Sequence, residues 1–342
     1  MKNIIIIASI TLLIISNLYA EKVDNYKFRV RASEIDSRTK EYPKIGYVFN
    51  NKDKVEDYQN AAVDVSVKLR GQLVIWMMSN NGYLNDKLNS YGYHVIQPHY
   101  ARQWFGKVCR EVPVGENSRG NMRLEAATGE GFSDQADIQL VDGMKERVRQ
   151  FLIWLIENNK VGKWEQFLTK DKSEILWEKV VMSGSSHGST TSARFAKHQR
   201  VARVVMLCGA RDQYQAWQGL PSATPENRYF GFSHVLDSGW VSDHYCRSWE
   251  LLGMHKFGPI VDIDKNSPPY SNTRRLTSAL PVKDAKAAHG AVTPKKNSAK
   301  LEDGTLVYDK VWKYLYTHPV DSVGKGVELD ESCIKDQRSR DF

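Results

Sequence analysis

Ser186 has the setting of a reactive hydroxyl. It is the centre of Gly184-Ser185-Ser186-His187-Gly188, a G-x-S-x-G pattern in which a sharp strand-to-helix turn exposes the Ser Oγ. Glycines two residues to either side let strand and helix approach closely, and the backbone N–H of the next residue, His187, is aimed at a developing oxyanion. A phosphate-binding loop is excluded, because it needs four residues between its glycines and then a lysine. A serine hydroxyl is a poor nucleophile near neutral pH, so it needs a base that is itself oriented by an acid. His289 in Ala287-Ala288-His289-Gly290-Ala291 is the base expected from its position. Asp237 in Val235-Leu236-Asp237-Ser238-Gly239 is the favoured acid, and Asp212 in Gly209-Ala210-Arg211-Asp212 the alternative. Asp212 could instead pair with Arg211 or cap a helix. The second oxyanion donor is expected from the backbone N–H of Asn80 or Asn81, with Gly82 allowing the turn.

These residues need elements to hold them. The continuous apolar run Gln72–Met78 reads as a strand, and His94–Pro98, Lys179–Met182, Ala202–Leu207, Arg228–Phe232 and Arg274–Leu280 are further strand candidates. Helices are expected over Tyr83–Tyr91, Ile138–Asn158, Ser189–His198, Val241–Leu252 and Val307–Tyr316. Alternating strands and helices, the strands apolar throughout, predict a mostly parallel central sheet with helices on both faces. Sites in such sheets lie at the carboxyl ends of the strands. Ser186 follows one strand directly. Asp212 follows the next strand and Asp237 the one after. His289 falls in a predicted loop between the last strand and the terminal helix. His234, His244 and His255 precede that strand, and His318 lies beyond the helix. His187 belongs to the turn itself, where its side chain is expected to point away from Ser186.

Three stretches resemble a group of exported bacterial α/β-hydrolases, serine hydrolases or esterases. They are Trp164-Glu165-Gln166-Phe167-Leu168, Trp177 through Gly188, and Val201-Ala202-Arg203-Val204-Val205-Met206. Gly92-Tyr93-His94-Val95-Ile96 and Tyr229-Phe230-Gly231-Phe232-Ser233-His234 are similar to the same group, so the likeness runs from Gly71 to Tyr316. It implies an α/β-hydrolase fold and a triad of Ser186, His289 and an Asp, with neither metal nor organic cofactor. Where the group resembles G-H-S-Q-G-G, this chain has Gly184-Ser185-Ser186-His187-Gly188-Ser189. Ester hydrolysis is therefore the expected activity. An amidase, peptidase or acyltransferase would use the same triad, and a non-catalytic binding protein on this fold is the alternative from another class.

The 342 residues divide, on this reading, into a signal peptide over 1–20 and a single domain over 21–342 with an N-terminal extension and a polar C-terminal tail. Lys2, the apolar run Asn3–Ser16 and the small residue Ala20 before Glu21-Lys22 are the layout of a secretory leader, too short for a comfortable membrane span. Export to the periplasm or beyond is thus expected, with no stable membrane anchor. The formal charge is +8, but its cations are scattered between acids, so no nucleic-acid partner is expected and the partner is a small or polymeric ester. Cys109, Cys208, Cys246 and Cys333 lack zinc-site spacing and in an exported chain predict at least one disulfide, with Cys208 readable as a buried free thiol. Trp104, Trp217 and Trp240 follow strand ends and are candidates to line a pocket.

Overall fold

The computed structural model describes residues 24–108, 115–212, 216–240 and 245–335. The proposed leader, Cys109 and His244 lie outside these residues. The central sheet has nine strands: β1 (Asn25–Arg31), β2 (Tyr58–Asp64), β3 (Leu73–Trp76), β4 (His94–Gln97), β5 (Val180–Ser185), β6 (Arg203–Leu207), β7 (Tyr229–His234), β8 (Ile260–Asp262) and β9 (Arg275–Ser278). Their order is β1-β2-β4-β3-β5-β6-β7-β9-β8. Only β2 runs against its neighbours, pairing antiparallel with β1 and β4, and every other pairing is parallel.

Alternation assigns the strand side chains to two cores. Leu73, Ile75, Met182, Val204 and Met206 face one helical layer, whereas Val74, Trp76, Val181, Val205 and Leu207 face the other. Each such side chain, fully withdrawn from water, contributes about 1.5–3 kcal/mol. Burial on both faces is why these strands read as continuous apolar runs rather than alternating ones.

Eight helices matter here: α1 (Gly82–Ser90), α2 (Ser118–Thr128), α3 (Met144–Asn158), α4 (His187–His198), α5 (Tyr245–Leu251), α6 (Ala285–Ala291), α7 (Asp309–Thr317) and α8 (Glu331–Lys335). The expected helix from Ile138 begins six residues later, because Gly143 adopts extended backbone (φ −63°, ψ 146°) after a short turn at Leu140–Asp142. The expected loop around His289 is instead helical. Asp284 caps it by accepting the Ala287 N–H at 2.8 Å, which satisfies one of the helix's orphan donors. Strands β1, β2 and β8 and helices α2 and α8 were not expected. Among the described residues no helix is long and apolar enough to cross a membrane.

Cys246 on α5 and Cys333 on α8 form a disulfide, with Cα atoms 5.7 Å apart. Cys208 is a buried free thiol.

Candidate active site

Strand β5 ends at Ser185, and α4 starts at His187. Ser186 between them has φ 52° and ψ −121°, a combination outside the regions open to ordinary L-residues. The flanking glycines permit it. A Cβ on Gly184 would lie 2.3 Å from the Gly188 carbonyl carbon, and one on Gly188 would lie 2.4 Å from the Met77 carbonyl oxygen. Strand, helix and the chain after β3 therefore meet at a distance that no other residue allows. The turn is anchored by the Ser186 N–H, which donates to the Leu207 carbonyl at 3.0 Å, while the Ser189 and Thr190 N–H groups donate to Ser186 O. His187 N–H stands in the first turn of α4, where no intrahelical carbonyl can accept it.

At the carboxyl end of the same sheet, His289 Nδ1 lies 2.8 Å from Asp237 Oδ2. The Asp237 carboxylate is fully engaged. Its Oδ2 also accepts from the Tyr245 hydroxyl at 3.1 Å, and its Oδ1 accepts the Gly239 N–H at 2.9 Å. Gly239 has to be glycine for this, since a Cβ there would lie 2.1 Å from the Tyr245 ring. Burial pushes the Asp237 carboxyl up, but the bonds from His289 and Gly239 and the charges of His289 and Arg211 outweigh it, and its pKa falls below the usual value. Burial likewise opposes the His289 imidazolium, yet the Asp237 bond and the neighbouring Cys208 sulfur raise its pKa to about 9. Because Asp237 accepts, Nδ1 carries the proton and Nε2 is left as the basic nitrogen. Among the described residues Ser186 Oγ donates no hydrogen bond.

A strained serine turn after the central strand, an aspartate after β7 and, hydrogen-bonded to it, a histidine after β9, on this strand order, decide the fold. It is that of the α/β hydrolases.

No protein-family model matches the chain, and no curated protein does. Solved structures with distant likeness include a sugar hydrolase from Lactococcus lactis, at 13% identity, TM-score 0.38, covering 76% of this chain and 92% of that one. A dienelactone hydrolase from Klebsiella pneumoniae has 10% identity and TM-score 0.38, covering 86% of this chain and 99% of its own. Esterase B from Lactobacillus rhamnosis has 13% identity and TM-score 0.32 over 75% of each chain. The α/β-hydrolase fold is read from strand order and from the turn at Ser186, not from these likenesses.

Asp212 is occupied elsewhere. Its Oδ2 accepts from Arg123 Nε and from Trp217 Nε1, both at 3.0 Å. Arg123, on α2 and fully buried, also donates to His187 Nδ1 at 2.9 Å and to His187 O and Thr191 Oγ1 at 3.2 Å. A guanidinium keeps its protons, so His187 Nδ1 is an acceptor there and the ring is neutral. Burial, followed by the charges of Arg123 and Arg102, holds its pKa well below the usual value. The ring packs against Trp104 and Phe105, with centroids 5.4 and 4.8 Å away. Its side chain is thus a strut under the first turn of α4. The pairing with Arg211 considered for Asp212 is replaced by Arg123, which sequence alone could not have singled out.

Of the tryptophans expected to line a pocket, Trp104 and Trp217 are fully buried. Trp240 is half-buried, donates to His234 O and packs edge-on to Tyr245 and Trp249. Asn81 is the N-cap of α1, accepting the Leu84 N–H and donating to Pro294 O, and Asn80 Oδ1 accepts from Asn85. Met78 stands nearer the Ser186 turn than either asparagine, its Cγ 2.7 Å from where a Gly188 Cβ would be. Met77 N–H is spent on Ser183 O, whereas Met78 N–H donates to no carbonyl among the described residues.

Proposed function

We propose that this chain is an exported serine hydrolase that cleaves carboxylic esters through an acyl-enzyme. The observation that carries the reading is the His289–Asp237 hydrogen bond at the carboxyl end of the sheet, where Ser186 holds its strained turn. In the reaction Ser186 Oγ turns onto His289 Nε2, gives up its proton and attacks the ester carbonyl. The carbonyl oxygen becomes an oxyanion within reach of the His187 N–H and of a second donor from the Met78–Asn81 loop. Met78 is the better placed of that loop, because its side chain packs against Gly188 of the Ser186 turn. His289 then protonates the departing alcohol, and the same base activates water to release the acid. Asp237 fixes the tautomer and stabilises the imidazolium. No metal or organic cofactor has a role in these steps. The leader-like N-terminus and the Cys246–Cys333 bridge support an oxidising compartment.

A fluorophosphonate probe tests the reading. The mature protein is expected to take one label, on Ser186, and to hydrolyse short 4-nitrophenyl esters. Ser186→Ala should lose both while melting at nearly the same temperature. Labelling or full turnover in that variant would overturn the assignment.

A further inference from the structure

Ser79 and Asn80, next along the chain from the Met78 that packs on Gly188 of the Ser186 turn, form part of the wall of a polar trough. Its first part is a cavity of about 290 Å³ whose walls include Arg29, Tyr58, Asn60, Asn80, His99 and Arg102, with room for about ten waters. A second cavity of about 150 Å³ shares the Arg29, Asn60 and Asn80 walls and continues past Phe28 and Lys27 along the β1–β2 edge. Two successive compartments with common walls suit a chain of repeating units better than one compact ligand.

The side chains specify what those units carry. His99 is 4% exposed, and both of its ring nitrogens lack a hydrogen-bond partner among the described residues. Tyr47 stacks on the ring at 4.5 Å and holds it in place. Burial, then the charges of Arg147 and Arg102, keep the imidazole neutral, with its pKa well below the usual value. A neutral imidazole presents one donor and one acceptor, and leaving both unmet in the interior is costly. Neither nitrogen is reached by solvent, so the ring shapes the cavity wall without meeting a ligand. Asn60 and the exposed Asn80 supply the neutral polar partners that sugar hydroxyls require.

The charge balance adds a second requirement. Arg102 is half-buried, and its guanidinium has no carboxylate or carbonyl partner among the described residues. Arg29 lies over the Tyr58 ring at 3.9 Å, also without an ion-pair partner. Glu56 is the one acid on the walls of the first cavity, so two cations face one anion. Arginine's rigid fork of donors matches a carboxylate.

We propose that this trough binds an acidic polysaccharide, a uronate-bearing sugar in the larger cavity with its carboxylate on Arg102 and a hydroxyl on Asn80, and so presents an acyl ester on that chain to Ser186. The substrate assignment rests on the hydrolase reading above, while the binding does not.

Two measurements separate the two. First, kcat/KM is compared for O-acetylated galacturonate and O-acetylated galactose oligomers, which differ in the carboxylate. The wild type should favour the galacturonate ester by at least about tenfold at low salt. The preference should collapse towards unity in Arg102→Gln and shrink in high salt, and Arg102→Lys should retain part of it. Second, calorimetry with de-esterified tri-galacturonate on the Ser186→Ala protein should show binding that Arg102→Gln weakens by at least tenfold, with unchanged circular dichroism establishing that the variant is folded. Turnover of neutral esters without tri-galacturonate binding, or a preference untouched by Arg102→Gln, would overturn the trough and leave the hydrolase reading standing. Arg102-dependent binding without turnover of any ester would do the reverse.

Discussion

The two aspartates considered as the acid make opposite predictions, and their surroundings supply the magnitudes. Asp212 is 5% exposed and is the counter-ion of Arg123, which is fully buried and holds the His187 ring, the His187 carbonyl and Thr191. Asp212→Ala leaves a buried guanidinium uncompensated, which costs about 3–5 kcal/mol. At about 2 °C per kcal/mol for a chain of this size, the melting temperature should fall by roughly 6–10 °C. Asp212→Asn keeps an acceptor and should fall less. Asp237→Asn does something different, because it removes the carboxylate that orients His289 Nδ1 and stabilises the imidazolium. There kcat should drop by about three to four orders of magnitude, with phosphonate labelling slowed in parallel. Both variants are measured well below their melting points, by thermal denaturation and by hydrolysis of the same 4-nitrophenyl ester. Asp212→Ala should then retain kcat within about tenfold of wild type. If Asp212→Ala lost as much kcat as Asp237→Asn while melting normally, the acid would have to be moved to Asp212.

His289, with its pKa raised to about 9, should make kcat/KM climb with pH up to about 9, since only its neutral form accepts the Ser186 proton. The same shift stabilises the fold by roughly 3 kcal/mol below pH about 6.5, a contribution lost as pH rises through about 9. Asp237, whose pKa is lowered, adds stability present above its ordinary pKa and lost in acid, so thermal unfolding across pH should show its maximum between those limits. Tyr245→Phe removes one of two donors to Asp237 Oδ2. It should lower kcat several-fold to tenfold and shift the acid limb of the kcat/KM profile, whereas a purely structural role would lower only the melting temperature. Peptide mass spectrometry without reduction should recover the Cys246–Cys333 bridge, and four free thiols in protein from an oxidising compartment would refute it.

What the sequence made legible follows from how local each signal is. The core strands β3, β5, β6 and β7 announced themselves because both faces are buried, giving apolar runs that no surface element would carry. The turn at Ser186 was legible because the steric demand on Gly184 and Gly188 is set within five residues. The edge strand β1 was missed although Tyr26, Phe28 and Val30 alternate with Lys27, Arg29 and Arg31, the half-buried pattern of an edge. Helix α6 also had its signal, Asp284 followed by Ala285-Lys286-Ala287-Ala288, a cap before good helix formers. The Arg123–Asp212–His187 cluster had none, since its members are 89 and 64 residues from Arg123 and meet only through the sheet. The same holds for Tyr245 on Asp237, and for Met78 against Gly188 in the Ser186 turn.

The disulfide and the site belong to one chain of contacts. Cys246 adjoins Tyr245 on α5, a helix of seven residues, shorter than the 12–15 needed for even marginal stability alone. Tertiary contacts must hold it. Its Trp249 donates to the Gly209 carbonyl at 3.0 Å, just past β6, and its Tyr245 reaches Asp237 past Gly239. The Cys246–Cys333 link closes a separation of 87 residues, a long loop whose closure removes freedom mainly from the unfolded chain. Yet its native consequence is local, because α8 is tied to the residue next to the one that orients Asp237. Removing the bridge by Cys333→Ser should therefore lower stability and also loosen Tyr245. The acid limb of the kcat/KM profile should move in the direction of Tyr245→Phe, and the double variant should move it little further. Independent, additive shifts in that double-mutant cycle would separate the bridge from the site.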